Sequence, residues 1–198
     1  MTYTVTYVGA DTITLADSVV LALDSHRKEG LASATALPAE RVLDVCSYLG
    51  SWALQAAAQG AEQVLCVDVS RPALEGLQAN AALNGMAERI SVLPGDAFDI
   101  LKGLCEERER FDLVLLDPPA FIKRRKDMKQ GTLAYRRLNQ LALRLLSKDG
   151  VLITSSCSHH LAGANFLQLM QQAGRHLDRS LQLLEQGAQS PDHPIHPA

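Results

Sequence analysis

The sequence predicts an α/β fold, a mostly parallel, twisted sheet with helices on both faces. Three observations carry this. From Arg41 onward, short apolar runs alternate with helix-like stretches. The runs are continuously apolar, as strands buried on both faces must be, and lack the in–out alternation of a half-solvated sheet. Proline and glycine punctuate the helical stretches at their starts and ends, where each is favoured.

The elements follow in order. Thr4–Val8 and Thr12–Leu15, separated by Gly9–Asp11, read as a hairpin, and another apolar run covers Val19–Leu23. Residues 1–36 are therefore expected to form a β-rich N-terminal appendage, and 37–198 the main domain. The first strand of that domain is Arg41–Cys46 (RVLDVC), followed by a helix over Ser51–Gln59 that Gly60 ends. Val64–Val69 (VLCVDV) precedes a helix over Arg71–Asn84, with Pro72 in its first turn and Gly85 at its close. Ile90–Leu93, a helix over Phe98–Arg108 and Phe111–Asp117 (FDLVLLD) come next. After a basic loop, Tyr135–Leu146 is amphipathic, with Leu138, Leu141, Ala142 and Leu145 on one face. Val151–Ser156 and a helix over Gly163–Leu177 complete the alternation, and Ser190–Ala198 reads as a proline-rich end without the final strand.

In sheets of this kind crossovers are right-handed, and ligands bind beyond the carboxyl ends of the strands, where the strand order reverses. That rule selects Asp44–Gly50, Asp68–Ser70, Gly95–Phe98, Asp117–Phe121 and Cys157–His160, the most polar residues of the strand-bearing half.

Composition sets the limits. With 198 residues, 47% of them hydrophobic, the chain can bury about two-thirds of its unfolded surface in one core. Its 22 acidic and 19 basic residues give a net charge of -3, which argues against a free-standing basic RNA-binding module. Four cysteines, at 46, 66, 105 and 157, form no CxxC pair. With no secretory leader legible, they predict a reduced, cytoplasmic protein without structural disulfides, and no metal site is expected. No apolar stretch approaches the roughly 20 residues that span a bilayer, so no membrane association is expected.

The first strand-to-helix turn, Asp44-Val45-Cys46-Ser47-Tyr48-Leu49-Gly50, has neither the GxGxxG of a dinucleotide site nor the GxxxxGK[ST] phosphate cradle. A carboxylate ahead of a turn ending in glycine suits a cationic ligand, and S-adenosylmethionine carries a sulfonium and an amino group. Asp68, with Val69 and Ser70 behind it, is placed to accept from ribose hydroxyls. Asp96 and Ala97 are placed to meet an adenine amino group and ring nitrogen. Each aspartate taken singly reads equally well as a helix cap or turn former. Three at consecutive strand ends favour the ligand.

Asp117-Pro118-Pro119-Ala120-Phe121 closes the fourth strand of the domain. Its prolines fix the backbone and remove two donors, making a rigid rim. Phe121 could flank an extruded base and Asp117 could bond its edge; a rigid loop without chemistry is the alternative. In Ser155-Ser156-Cys157-Ser158, Cys157 reads equally as a nucleophile or as a small buried residue. Lys123, Arg124, Arg125 and Lys126, then Lys129, Arg136 and Arg137, form a basic segment read as phosphate contacts rather than a merely solvated loop.

Together, DVCSYLG, VDVS, GDAF, LDPPAF with KRRKD, AYRRLN, SSCSHH and DHPIHPA resemble ribosomal RNA cytosine-5 methyltransferases of the large-subunit methyltransferase I type, from about Arg41 to the end. The resemblance implies a Rossmann-like class I methyltransferase core. It implies that Asp44, Cys46, Tyr48 and Gly50 line the methionine end of S-adenosylmethionine, that Asp68 takes the ribose and Asp96 the adenine, that Asp117 lies at the substrate base, and that Cys157 is the nucleophile. Pro118, Pro119, Phe121, Lys123, Arg124 and Arg125 would contact RNA. Several features depart from the family: no PUA domain, no recognisable KTGFF-type segment, only a loose likeness to its DQR motif at Leu23–Arg27, Gly50-Ser51 in place of a glycine pair, and no C-terminal strand after the DHP segment.

The expected reaction is methylation of cytosine C5 in ribosomal RNA through a Cys157 adduct. A transfer to an amino group or a guanine ring nitrogen of RNA is the alternative within enzymes. A non-catalytic RNA-binding or assembly factor is the alternative outside them. RNA is the expected partner, and a homodimer is left open.

Overall fold

The computed structural model describes residues 18–23 and 39–186. Seven strands form one sheet: β1 (Ser18–Leu23), β2 (Arg41–Val45), β3 (Gln63–Asp68), β4 (Ile90–Pro94), β5 (Phe111–Leu116), β6 (Leu146–Ser155) and β7 (Leu181–Gln186). Five helices separate them: α1 (Ser51–Ala58), α2 (Arg71–Leu83), α3 (Ala97–Glu106), α4 (Met128–Leu145) and α5 (Gly163–His176). The sheet order is β4-β3-β2-β5-β6-β1-β7. The five strands from β4 to β6 are parallel, and β1 runs antiparallel to both β6 and β7.

The strand period of two divides the core into two layers. Leu43, Val45, Val114 and Leu116 face one way and pack with Leu101 of α3, Leu138 and Leu145 of α4 and Met170 of α5. Val42, Leu113 and Leu115 face the other way, against Ala53 and Ala57 of α1 and Leu74 and Leu77 of α2. Alanines at the buried positions of α1 let it approach the sheet closely. At about 25 cal/mol per Å² of apolar surface removed from water, burial of this kind is the main favourable contribution to folding.

The strand order reverses between β2 and β5, since β3 and β4 extend one way and β5 and β6 the other. The switch-point rule therefore points to the crevice between the ends of those two strands. At the opposite, amino end of these strands the Asp112 carboxylate ties β5 to the starts of its neighbours. One of its carboxylate oxygens accepts the Glu40 and Arg41 amides at 3.2 and 3.0 Å, and the other accepts the Ser147 hydroxyl at 3.2 Å.

The α/β class and every strand and helix expected between Arg41 and Leu177 are present, and three features differ from expectation. Helix α4 begins at Met128, so Lys129 is helical rather than in the loop. The basic composition and Gly131 concealed the first turns of that helix. Strand β7 was not expected: it is an edge strand whose sequence, LQLLEQ, has no clean two-residue alternation. The run at Val19–Leu23 belongs to β1, inside the main sheet, so this part of the expected appendage does not stand apart. The expected hairpin over Thr4–Leu15 and the end at Ser190–Ala198 lie outside the described residues. Among the described residues, no helix is long and apolar enough to cross a membrane.

Candidate functional site

The turn after β2 is shaped by three residues at positive φ: Cys46 (64°), Tyr48 (48°) and Gly50 (84°). Only glycine adopts that region without penalty, so two non-glycine residues there mark a strained, site-forming turn. Backbone groups hold it. The Cys46 and Ser47 amides donate to the Val67 carbonyl at 2.8 and 3.1 Å, and the Tyr48 amide donates to Asp68 Oδ2 at 2.9 Å. Gly50 starts α1 where α2 crosses closest: a Cβ there would lie 2.5 Å from Leu77 Cγ.

This turn opens a cavity of about 1040 Å³ over the carboxyl ends of β2, β3, β5 and β6. Single small-ligand pockets occupy about 300–1,000 Å³, so the space suits a nucleoside-sized ligand with room beside it. Cys46, Tyr48, Asp68, Val69, Asp96 and Ala97 line one end. Asp117, Pro118, Pro119, Phe121, Lys123 and Cys157 line the other. Twelve of the residues selected from the sequence thus meet in one space. Val69 and Tyr48 stand 77% and 64% exposed, apolar surface that a planar ring could cover.

Five selected residues do not reach the wall. Asp44 is fully buried beneath the turn, where Oδ2 accepts the Ala53 amide of α1 at 3.1 Å and Oδ1 has no partner. Gly50 is buried under Leu77, and Ser70 caps α2 by accepting the Ala73 amide at 3.3 Å. Arg124 turns to Asp127, 3.2 Å away, and Arg125 lies exposed in a short 3-10 turn. The first three shape the cradle from beneath, and the two arginines lie on the surface outside the cavity.

The remaining aspartates combine capping with exposure to the cavity. Asp96 caps α3, Oδ1 accepting the Phe98 amide at 2.8 Å. Asp68 accepts the Ser70 amide on its second oxygen at 2.8 Å. A carboxylate has about four acceptor positions, so both retain capacity toward a ligand. Burial pushes the Asp44 carboxyl up to about 8, aided by the nearby charge of Asp117. Burial also raises Asp117, opposed by hydrogen bonds from Ser155 and Trp52. Burial and the surrounding aspartates, Asp68 first among them, push the Cys46 thiol up to about 12, which makes it a poor nucleophile.

Cys157 lies on the loop after β6, half-buried, with Sγ 3.7 Å from the Pro118 carbonyl. Phe121 lines the cavity with its ring centroid 4.8 Å from that of Tyr135 and 6.1 Å from that of Phe98. His159 and His160 stand exposed at the rim. Sequence reasoning assigned no role to Ser47, whose buried hydroxyl has no partner among the described residues, or to Trp52, which closes the cavity near Asp117. Ser47 was legible from its place in the selected turn. Trp52, on α1, gave no signal beyond being the chain's one tryptophan.

The fold is that of a Rossmann-like class I methyltransferase: a crystal structure of the S-adenosylmethionine-dependent methyltransferase from Agrobacterium tumefaciens superposes with a TM-score of 0.58, at 25% identity over 68% of this chain and 44% of that one. A family profile described as "Conserved hypothetical protein 95" matches residues 28–176, and the chain belongs to that family. It is 38% identical over 157 residues to a Methanocaldococcus jannaschii protein provisionally named a ribosomal RNA large subunit methyltransferase, covering 79% of this chain and 40% of that one. It is 33% identical over 171 residues to the ribosomal RNA large subunit methyltransferase I of Citrobacter koseri, covering 86% of this chain and 43% of the relative. The chain thus spans about two-fifths of the length of the curated relatives it matches.

Proposed function

We propose that this chain is the catalytic domain of an S-adenosylmethionine-dependent methyltransferase that modifies C5 of a cytosine in ribosomal RNA. The observation that carries the reading is the opening of Cys157 and Asp117 into the same cavity as the acidic, strained turn after β2. The named relatives support the RNA substrate.

The residues present fit the cofactor. Asp44 Oδ1 and Ser47 Oγ are buried without partners, and Asp68, Asp96 and Asp117 border the cavity, an arrangement that stabilises a cation. Tyr48 and Val69 would cover the adenosine, Asp68 would accept from its ribose, and Asp96 from its adenine amino group. S-adenosylmethionine, when bound, supplies an electrophilic methyl.

Cytosine C5 is a weak nucleophile until something adds at C6. Cys157 Sγ forms that bond, which makes C5 enamine-like and able to take the methyl. Asp117 holds the base through N3 or the amino group. A base, water or one of the rim histidines His159 and His160, takes the C5 proton, and the C6–Sγ bond then breaks so that Cys157 leaves as thiolate and the ring regains its C5–C6 double bond. Lys123, at the cavity rim, and the exposed Arg124, Arg125 and Lys126 beside it would contact RNA phosphates.

One observation favours the amino-group alternative: the Pro118 carbonyl, which faces Cys157 Sγ, is an equally good acceptor for an exocyclic amine. RNA containing 5-fluorocytosine separates the two readings. The cytosine-C5 reading expects a covalent protein–RNA adduct that Cys157→Ala abolishes. Methyl transfer without an adduct would assign the chemistry to nitrogen.

A further inference from the structure

Tyr135 takes no part in the roles assigned so far, yet it is fully buried on α4. Its ring meets Phe121 edge-on and also Phe166, 5.9 Å away. Its hydroxyl lies 2.9 Å from Ser158 Oγ, and that same oxygen accepts the Ile122 amide at 3.1 Å. The Ser158 amide donates in turn to Ser156 Oγ at 3.3 Å. Cys157 therefore sits between two buried serines that are both tied down.

One helical turn before Tyr135, Gly131 lets the rim rest on the helix: a Cβ there would lie 2.8 Å from the Phe121 carbonyl oxygen. The rim needs such support. Pro118 and Pro119 have no amide hydrogen, so this stretch has two fewer backbone donors with which to hold to its neighbours. A buried hydroxyl left unpaired costs free energy, which keeps Tyr135 and Ser158 together. Burial also raises the Tyr135 hydroxyl, so it remains protonated and can donate.

We propose that Tyr135 and Ser158 are positioning residues, a hydroxyl clamp that joins the loop after β5 to the loop after β6 and sets the Cys157 thiol against the Pro118 carbonyl. The purpose of the clamp rests on the cytosine reading, but its geometry can be read without turnover.

The test compares Tyr135→Phe, Ser158→Ala and the double variant with the wild-type chain. The readout is alkylation of Cys157 by iodoacetamide, followed by peptide mass spectrometry. Cys66, fully buried, serves as the internal control for general loosening. Each single change is expected to raise Cys157 alkylation several-fold while Cys66 and cofactor affinity stay constant. Because Ser158→Ala removes the Tyr135 contact together with the bond to Ile122, the double variant should rise no further than Ser158→Ala alone. Methyl transfer to RNA should move the opposite way, kcat falling about tenfold for the loss of one hydrogen bond. Unchanged Cys157 alkylation overturns the clamp, as does an additive rise in the double variant. A parallel rise at Cys66 also overturns it, because it reports lost stability instead. Absence of a wild-type adduct on 5-fluorocytosine RNA would remove the cytosine reading, and the alkylation series would still decide the clamp.

Discussion

The two ends of the cavity are held by different kinds of bond. At the β2–β3 end, backbone amides do the holding: those of Cys46 and Ser47 donate to Val67, and those of Tyr48 and Ser70 to the Asp68 carboxylate. At the β5–β6 end two prolines have removed amide donors, and side-chain hydroxyls take over, Ser155 on Asp117 and Tyr135 with Ser158. The charge differs as well, with Asp68 and Asp96 at the first end and Lys123 beside Asp117 at the second. An end built from backbone conformation is sensitive to changes that forbid a φ angle. An end built from side chains is sensitive to deletion of single polar atoms.

The sharpest way to separate the ends is Cys157→Ala. It should lower methyl transfer by about 10⁴-fold or more, as removal of a covalent nucleophile does, while calorimetry finds cofactor affinity unchanged. Normal turnover in this variant would assign the thiol no chemistry.

Gly50→Ala attacks the backbone-built end. A left-handed φ of 84° and the Leu77 contact should together cost roughly 2–4 kcal/mol, seen as a lowered Tm and weakened cofactor binding. An unaltered melting curve would show that the turn can relax.

Asp68→Ala should weaken cofactor binding by about 1.5–3 kcal/mol, the range for hydrogen bonds to a charged group. Unchanged affinity would remove the ribose assignment.

The fourth test is pH. Asp44 is raised to about 8 and Asp117 is raised by burial, whereas a bound cation favours the ionised form of both. Cofactor binding should therefore release protons, and affinity should rise from pH 6 toward 8 and then flatten, by up to about tenfold per unit for one proton. The free protein should do the reverse. An acid with a raised folded value leaves the unfolded chain binding fewer protons, so stability should fall as pH rises from about 4 to 8. Asp44→Asn should flatten both slopes, and calorimetry in two buffers of different ionisation enthalpy would count the protons.

The smallest effect distinguishes two helical glycines. Gly103→Ala meets nothing within 4 Å and should stabilise the chain by about 0.5–1 kcal/mol, whereas Gly131→Ala should destabilise it by pressing on Phe121. Equal shifts in Tm would contradict the close packing of the rim on α4.

What the sequence made legible follows the same division. The parallel strands and their helices were readable because continuous apolar runs have few other uses, and the strand-end rule then located eleven of the twelve cavity residues without coordinates, Lys123 coming from the basic segment. The buried position of Asp44 was not readable, because a turn carboxylate looks the same whether it faces a ligand or the amide of Ala53. The support behind Phe121 was not readable either, because Tyr135, fourteen positions on, is brought against its ring by α4. The start of α4 was hidden by a basic, glycine-containing stretch whose helical role depends on Ile122 packing over Gly131. Partners that are distant in sequence, such as β1 with β6 and β7, leave no local trace.

That last pairing has a consequence for the order in which the chain is made. Ser18 pairs with Ser155 and Ala22 with Val151, so β1 leaves the ribosome well before either of its neighbours exists. At about 5–20 residues per second, the delay is on the order of 10 s. Strands β2 to β5 pair among themselves and with β6, so they can assemble in that interval without β1. During that time an apolar segment, Val19-Val20-Leu21, waits without its hydrogen-bond partners. Such a stretch is open to mispairing in a nascent chain, and its pairing is completed only when β6 and β7 arrive on either side of it.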